Sequence, residues 1–318
     1  MSPYSITGYL ITMGISAVCA CALFFFMLRK EALPSAGKAL SVSLCVLVLG
    51  TAFAVLFAKL FYFLFYFFYI SEQGIGEFWL SLRTEEMSYY GAVAGVCFSV
   101  SLIALIFRLR PGRILHVFAP AGALMAAAAR FAEYFLFPTG TGLSSETPIP
   151  FPLAVRIVYD ESYIEYVLAV FMLEGLMSLL VFAFSLRHRN DPYRFLRTLF
   201  YLCLPQVLLE SLRSDALNWL FVHAEQLLCF LFVEGVLVWY GFACKKDSRK
   251  GLSSWVPALT GLGVCGLIIV GEFMLDGKIR IGGTYVSPWI TYSLMAAGLV
   301  LLAVMEHKGH RCLQSSVK

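Results

Sequence analysis

Long apolar runs, separated by short polar breaks, dominate this chain. Nine are legible, at about 6–28, 39–70, 89–107, 114–138, 164–186, 198–213, 219–243, 254–275 and 288–305. A helix of roughly 20 apolar residues crosses the hydrocarbon core of a bilayer. The pattern therefore predicts an all-α, polytopic helical membrane protein with about nine transmembrane helices. The second run exceeds one span, so its ends are expected to tilt or enter the interface. The sixth is short and holds Pro205. It predicts a kinked or partly unwound helix that faces protein or water. No short-period repeat, linker or low-complexity tract is present. A polar break at Lys245–Ser254 divides a seven-helix region, 1–250, from a two-helix hairpin with a basic tail, 251–318.

Composition agrees with that pattern. Of 318 residues, 60% are apolar and 14% charged, where a soluble domain is nearer 45–50% and about 25%. A soluble enzyme and a disordered chain are both excluded. Twenty-four Lys and Arg against 20 Asp and Glu leave a net charge of +4, too little to expect a nucleic-acid partner. The nine cysteines lie almost entirely within apolar runs, and no CxxC pair has a His partner. Neither a metal centre nor a disulfide framework is expected. The uncharged start Met1–Tyr4 predicts no cleavable signal peptide.

Basic residues predict the orientation. Arg29, Lys30, Lys38, Arg108, Arg110, Arg113, Arg187, Arg189, Arg194, Arg197, Lys245, Lys246, Arg249, Lys250, Lys308, Arg311 and Lys318 follow odd-numbered runs. Only Arg83, Arg156, Lys278 and Arg280 occupy the opposite side, with Glu72, Glu77, Glu85, Glu86, Glu146, Asp160 and Glu161. The positive-inside bias places the N-terminus outside and the C-terminus in the cytoplasm. The Lys/Arg cluster at 245–250 reads as a topology determinant.

Three cations, Lys59, Arg130 and Arg213, fall within the runs, as do Glu133, Glu165, Glu174, Glu210, Glu225, Glu234 and Glu272. Each charge at a bilayer centre costs about 2.5–3.5 kcal/mol, so these groups are expected to pair or to face a wet cavity. Arg130 and Glu133 are spaced i, i+3, as are Glu210 and Arg213. Gln206, Glu210 and Arg213 form one stripe of the sixth helix. Lys59, Tyr62 and Tyr66 form another on the second. In the predicted topology Arg130, Glu133, Glu210, Arg213, Tyr90 and Gln226 all lie at outer-leaflet depth. One group alone reads equally well as packing; the set favours a functional cavity. A guanidinium keeps its charge and grips phosphate oxygens bidentately, so the cations suit a phospholipid phosphodiester. Glu-rich spans also fit a proton or ion relay.

Specific stretches strengthen the lipid reading. Met87-Ser88-Tyr89-Tyr90-Gly91-Ala92-Val93-Ala94-Gly95 resembles the Met-Ser-Phe-His-Gly-Gly-Leu-x-Gly of the prolipoprotein diacylglyceryl transferases. Ala58–Tyr66 resembles their Gly-Arg-Ile-Gly-Tyr-Val-Leu-Phe-Tyr, and Phe118-Ala119-Pro120 their Ile-Ala-Pro. Ala129–Glu133 is similar to the signature Gly-Arg-Leu-Gly-Asn, and Pro150-Phe151-Pro152 sits at their Phe-Pro. Phe171–Gly175, Glu210–Arg213 and Ala224–Leu228 resemble Phe-Leu-Leu-Glu-Gly, Glu-Phe-Phe-Arg and Met-Gly-Gln-Ile-Leu. These anchors keep the family's order over about 6–245. Several polar positions are exchanged. Tyr90 stands for a His, Glu133 for an Asn and Gln206 for an Arg; Ile164–Val170 replaces His-Pro-Ser-Gln-Leu-Tyr-Glu, and Met13-Gly14 a Tyr-Gly pair.

The resemblance implies a bacterial cytoplasmic-membrane enzyme that moves diacylglycerol from phosphatidylglycerol, or a similar anionic phospholipid, to the cysteine of a prolipoprotein lipobox. It implies attack of the thiol on the glycerol carbon bonded to phosphate, a monomer, and no cofactor. Arg130 and Arg213 are expected to clamp the phosphate, with Glu210, Glu133 and Tyr90 as acid–base or supporting groups. Lys59, Tyr62, Gln206, Glu174 and Gln226 are expected to bind substrate. A tyrosine with an ordinary pKa near 10 is a poor base, whereas a thiol beside cations ionises more readily. A non-catalytic lipid- or lipoprotein-binding relative and a small-molecule or ion transporter stand as alternatives. No paired short, Gly/Pro-broken segments favour the transporter. The topology has a direct check. In a background freed of native cysteines, Ser144→Cys is expected to react with an impermeant thiol reagent on intact cells and Asn190→Cys is not. The reverse pattern overturns the orientation.

Overall fold

The computed structural model describes residues 5–81, 83, 86–160, 163–216, 218–219, 222–245, 252–279 and 284–317. Glu85, Glu161, Lys246, Arg249, Lys250, Arg280 and Lys318 of the charge count, and most of the break at 245–254, lie outside them. Eleven helices are described: α1 Ile6–Glu31, α2 Ala36–Phe65, α3 Phe67–Gln73, α4 Ile75–Leu80, α5 Tyr89–Ile106, α6 Pro111–Ala132, α7 Val170–Arg187, α8 Arg194–Leu209, α9 Ala224–Lys245, α10 Val256–Leu275 and α11 Pro288–Val317. All but α3 and α4 are long and apolar enough to cross a membrane, giving nine candidate spans among the described residues. The chain is a multi-pass helical membrane protein.

The contacts divide it into two compact units. One holds Met1–Leu202 with Leu212–Trp219; the other holds Cys203–Ser211 with Leu220–Lys318. In the first, α6 packs on α1, α5 and α7, and α2 packs on α5. Its core gathers Phe24, Leu28, Val100, Ile103, Ile114 and Val117. Phe24 and Phe118 meet edge to face with centroids 5.2 Å apart, a favoured aromatic geometry. In the second unit α9, α10 and α11 pack on one another.

Hydrogen bonds tie the start of α1 and the start of α7 to the segment that follows α6, and the start of α5 to the body of α2. Ser5 N donates to Phe135 O at 2.8 Å, Ser88 N to Ala58 O at 3.1 Å and Phe171 N to Gly140 O at 2.9 Å. Ser88 also caps α5 by accepting from Gly91 N at 3.1 Å, satisfying a free helix N–H. A charged network joins the end of α1 to the start of α8. Arg194, fully buried, reaches Glu31 at 2.8 Å and donates to His116 O. Arg197 pairs with Asp191 at 2.8 Å.

One sequence expectation is corrected. Residues 164–168 are not helical. Strand β3, Tyr163–Leu168, pairs antiparallel with β2, Ala154–Asp160, and with β1, Ser144–Ser145. Isoleucine, valine and tyrosine favour a pleated surface, and this run is too short for a helix of its own before α7 begins. Glu165 therefore sits opposite Ile157 in a sheet rather than in a span. The second run, longer than one span needs, ends its helix α2 at Phe65, and α3 and α4 follow. The sixth run, expected to be kinked or partly unwound, keeps Pro205 inside α8 and unwinds into a 3-10 turn at Glu210–Leu212. Side chains of the second unit take the carbonyls released there. Gln226 Nε2 donates to Val207 O at 2.9 Å and His223 Nδ1 lies 3.1 Å from Glu210 O, which is how a helix end is satisfied away from water.

Close approach of α2 and α5 depends on two glycines. A Cβ on Gly95 would meet the Phe53 carbonyl carbon at 2.7 Å and Phe57 Cβ at 2.9 Å; one on Gly91 would meet Phe57 O at 2.7 Å. Small residues four apart let helix backbones touch, which drives association where no hydrophobic effect operates. Gly95→Val is expected to destabilise the detergent-solubilised protein by about 1–3 kcal/mol. Gly14→Val, where a Cβ meets nothing within 4 Å, leaves the thermal midpoint unchanged.

Candidate functional site

Where the end of α6 meets the start of α7, the spacing noted in the sequence becomes a closed ring of charge. Arg130 lies in the last turn of α6 and Glu174 in the second turn of α7. A cation near a helix C-terminus and an anion near an N-terminus both match the helix dipole. Arg130 Nη1 donates to Glu133 Oε1 at 2.7 Å and its Nε lies 3.2 Å from Glu174 Oε2. Arg213 Nη1 reaches the same two carboxylates, at 3.2 Å to Glu133 Oε2 and 2.9 Å to Glu174 Oε2. The four charges alternate around the ring. The Arg130 and Glu174 residues are each only 2% exposed.

Two residues outside the sequence-based list complete it. The Tyr89 ring lies under Arg130, with the guanidinium carbon 3.6 Å from its centroid, a cation–π contact. Asp215 accepts from Arg213 Nε at 3.1 Å and from Nη2 at 3.0 Å. Tyr89 adjoins Tyr90, and an Arg-x-Asp spacing was visible at 213–215, but nothing in those patterns distinguished them from packing. Asp215 also accepts from Gly140 N at 2.9 Å, so one carboxylate joins Arg213 to the loop that follows α6. Gly140 has φ +74°, and a Cβ there would press on the Glu133 carboxylate and on Phe171 Cβ. Only glycine fits that conformation and that approach. With Asp215 counted, three carboxylates face two guanidiniums.

The other expected residues are distributed elsewhere. Tyr90 OH donates to Leu202 O at 3.3 Å. Lys59 is buried, and its ammonium is taken by the carbonyls of Phe78 and Ser81, the Ser81 hydroxyl at 3.1 Å and Glu86 at 3.7 Å. It also lies 4.4 Å from the Phe78 ring centroid. Tyr62 stacks on Tyr66 at 4.8 Å and on Phe78 at 6.0 Å. Lys59 and Tyr62 thus meet around the end of α4.

Gln206, Glu210 and Arg213 do not form the helical stripe expected of them. Helix α8 ends at Leu209, Glu210 opens a 3-10 turn, and Arg213 follows that turn and bridges to Gly142. In the second unit, buried Gln206 Nε2 donates to Glu210 Oε2 at 2.8 Å. Gln226 Nε2 donates to Val207 O, to Ser211 Oγ at 3.0 Å and to Glu272 Oε1 at 2.7 Å. Among the described residues no group of His, Cys, Asp and Glu is arranged to hold a metal.

A family model of prolipoprotein diacylglyceryl transferase matches residues 1–241. The chain belongs to the prolipoprotein diacylglyceryl transferase family. No curated protein matches the chain. The diacylglyceryl transferase match takes in every member of the charged ring and ends inside α9. It makes this a member of a transferase family.

The ring has a measurable cost of disruption. Arg130→Ala would leave Glu133 and Glu174 with one guanidinium between them. Removing one partner of a buried pair costs about 3–5 kcal/mol. Thermal unfolding in detergent is expected to show a loss of that order for Arg130→Ala and almost none for Glu146→Ala, on the exposed loop.

Proposed function

We propose that this protein transfers a diacylglyceryl group from phosphatidylglycerol to the cysteine thiol of a prolipoprotein lipobox, as a monomer, at the outer leaflet of a bacterial cytoplasmic membrane. In this reading residues 1–250 carry the chemistry, and the N-terminus lies outside. The observation that carries it is the meeting of Arg130 and Arg213, distant in sequence, on two shared buried carboxylates. Paired guanidiniums held within a helical bundle suit a phosphodiester, whose oxygens they engage bidentately.

The roles follow from what each group can do. Arg130 and Arg213 turn part of their hydrogen bonding from carboxylate to phosphate and stabilise the negative charge that grows on the leaving glycerol phosphate. Glu133, Glu174 and Asp215 hold the guanidiniums in register. The thiol proton passes to the Glu133 carboxylate, since Tyr90 spends its hydroxyl on a backbone carbonyl. The sulfur then bonds to the glycerol carbon, and the C–O bond to phosphate breaks with its electron pair on oxygen.

One observation favours a second reading, in which the protein binds lipid or lipoprotein without turnover. Both guanidiniums are already matched by carboxylates, and Gln206 supplies a neutral amide where the resemblance expects a cation. A glutamine donates hydrogen bonds but cannot neutralise the departing phosphate.

Substitution at 206 separates the two. An arginine there keeps a donor for Glu210 and adds a charge worth about 3 kcal/mol in a dry site, or about two orders of magnitude in rate. With a lipobox peptide in phosphatidylglycerol bilayers, the parent is expected to transfer slowly, Gln206→Arg faster, and Gln206→Arg with Tyr90→His faster still, because His titrates near neutral pH. If all the variants fold and remain silent, the transferase reading gives way to the binding-only one.

A further inference from the structure

We propose that Glu272, on α10 and beyond the family-matched residues, is a positioning residue for Gln226; the proposal rests on the transferase reading. Glu272 is placed at apparent disadvantage. It lies in the last turn of a membrane-spanning helix, where the carboxylate opposes the helix dipole as well as losing hydration. Its partners are a serine hydroxyl and a glutamine amide. Glu272 Oε1 accepts from Ser211 Oγ and, at 2.7 Å, from Gln226 Nε2. Both partners fall within residues 1–241.

The geometry decides what Gln226 offers. Its Nε2 carries two hydrogens and has three acceptors in reach, Val207 O, Ser211 Oγ and Glu272 Oε1. The donor side of the amide is fully committed, and the charged acceptor makes the strongest of these bonds. Gln226 is buried, 4% exposed, so no water competes for it. A glutamine fixed this way keeps only its carbonyl oxygen for a ligand. It accepts from a hydroxyl or thiol and does not donate to a phosphate. The last helix pair thereby supplies, through one carboxylate, the orientation of a side chain in the transferase-like region.

The test is a double-mutant cycle on the full chain in phosphatidylglycerol bilayers, using Gln206→Arg as the parent. Glu272→Ala is expected to lower kcat about tenfold, the rate equivalent of one hydrogen bond to a charged group, with lipid KM within about twofold. Glu272→Gln, which keeps an acceptor, returns kcat to within about threefold of the parent. In a Gln226→Ala background, Glu272→Ala produces no further loss, because coupled groups are not additive. Additive losses, or an unchanged kcat, overturn the proposal. Glu272→Met replaces the alanine variant if that one does not fold. If the parent shows no transfer, the transferase reading falls by itself, and amide hydrogen exchange over 207–212 and 224–228 decides this one. Faster exchange in Glu272→Ala than in Glu272→Gln supports the positioning contact; equal protection overturns it.

Discussion

A guanidinium cannot shed its proton, so a buried arginine must be met by negative charge or be excluded from the fold. Arg130 and Arg213 impose that constraint on the first unit, and its elements comply. Helix α6 ends just after Arg130, α7 begins just before Glu174, and a glycine with positive φ lets the intervening loop close over Glu133. Asp215 then ties the loop to Arg213 through Gly140 N. These segments stop where their charges meet.

The nine spans were legible because a bilayer demands long apolar helices, and composition reports that directly. The ring was half legible. The i, i+3 spacing of Arg130 and Glu133 forecasts their contact, whereas the meeting of Glu174 with Arg213 is a long-range pairing that no local period encodes. Strand β3 escaped for a different reason. Counting apolar residues over 164–168 merges the strand with α7, although its β-branched content argues for a sheet. The stripe of Gln206, Glu210 and Arg213 assumed a helix that persists to 213. Gln226 instead takes a carbonyl of α8, and His223 one of the 3-10 turn that follows it.

The second unit also places neutral donors on carboxylates. Its spans hold Glu210, Glu225, Glu234, Glu272 and Glu306, with neutral donors prominent around them: an amide on Glu210, a hydroxyl and an amide on Glu272, and the Tyr240 phenol on Glu306 at 3.0 Å. Neutral donors give weaker neutralisation than guanidinium but tighter direction. Such contacts suit the orientation of side chains more than the binding of an anion.

Lys59 has a mechanical consequence. The aromatic segment of α3 and α4 leaves α2 at Tyr66, and its far end returns to α2 through the grip of Lys59 on Phe78 and Ser81. Both ends are therefore fastened to one helix within two turns of each other, like a handle on a rod. Phe68 and Leu80 project from that handle, 82% and 88% exposed. Any tilt of α2 that accommodates a thicker or thinner bilayer must swing these side chains with it. A tilt of α2 is thus carried into the aromatic segment at both of its ends.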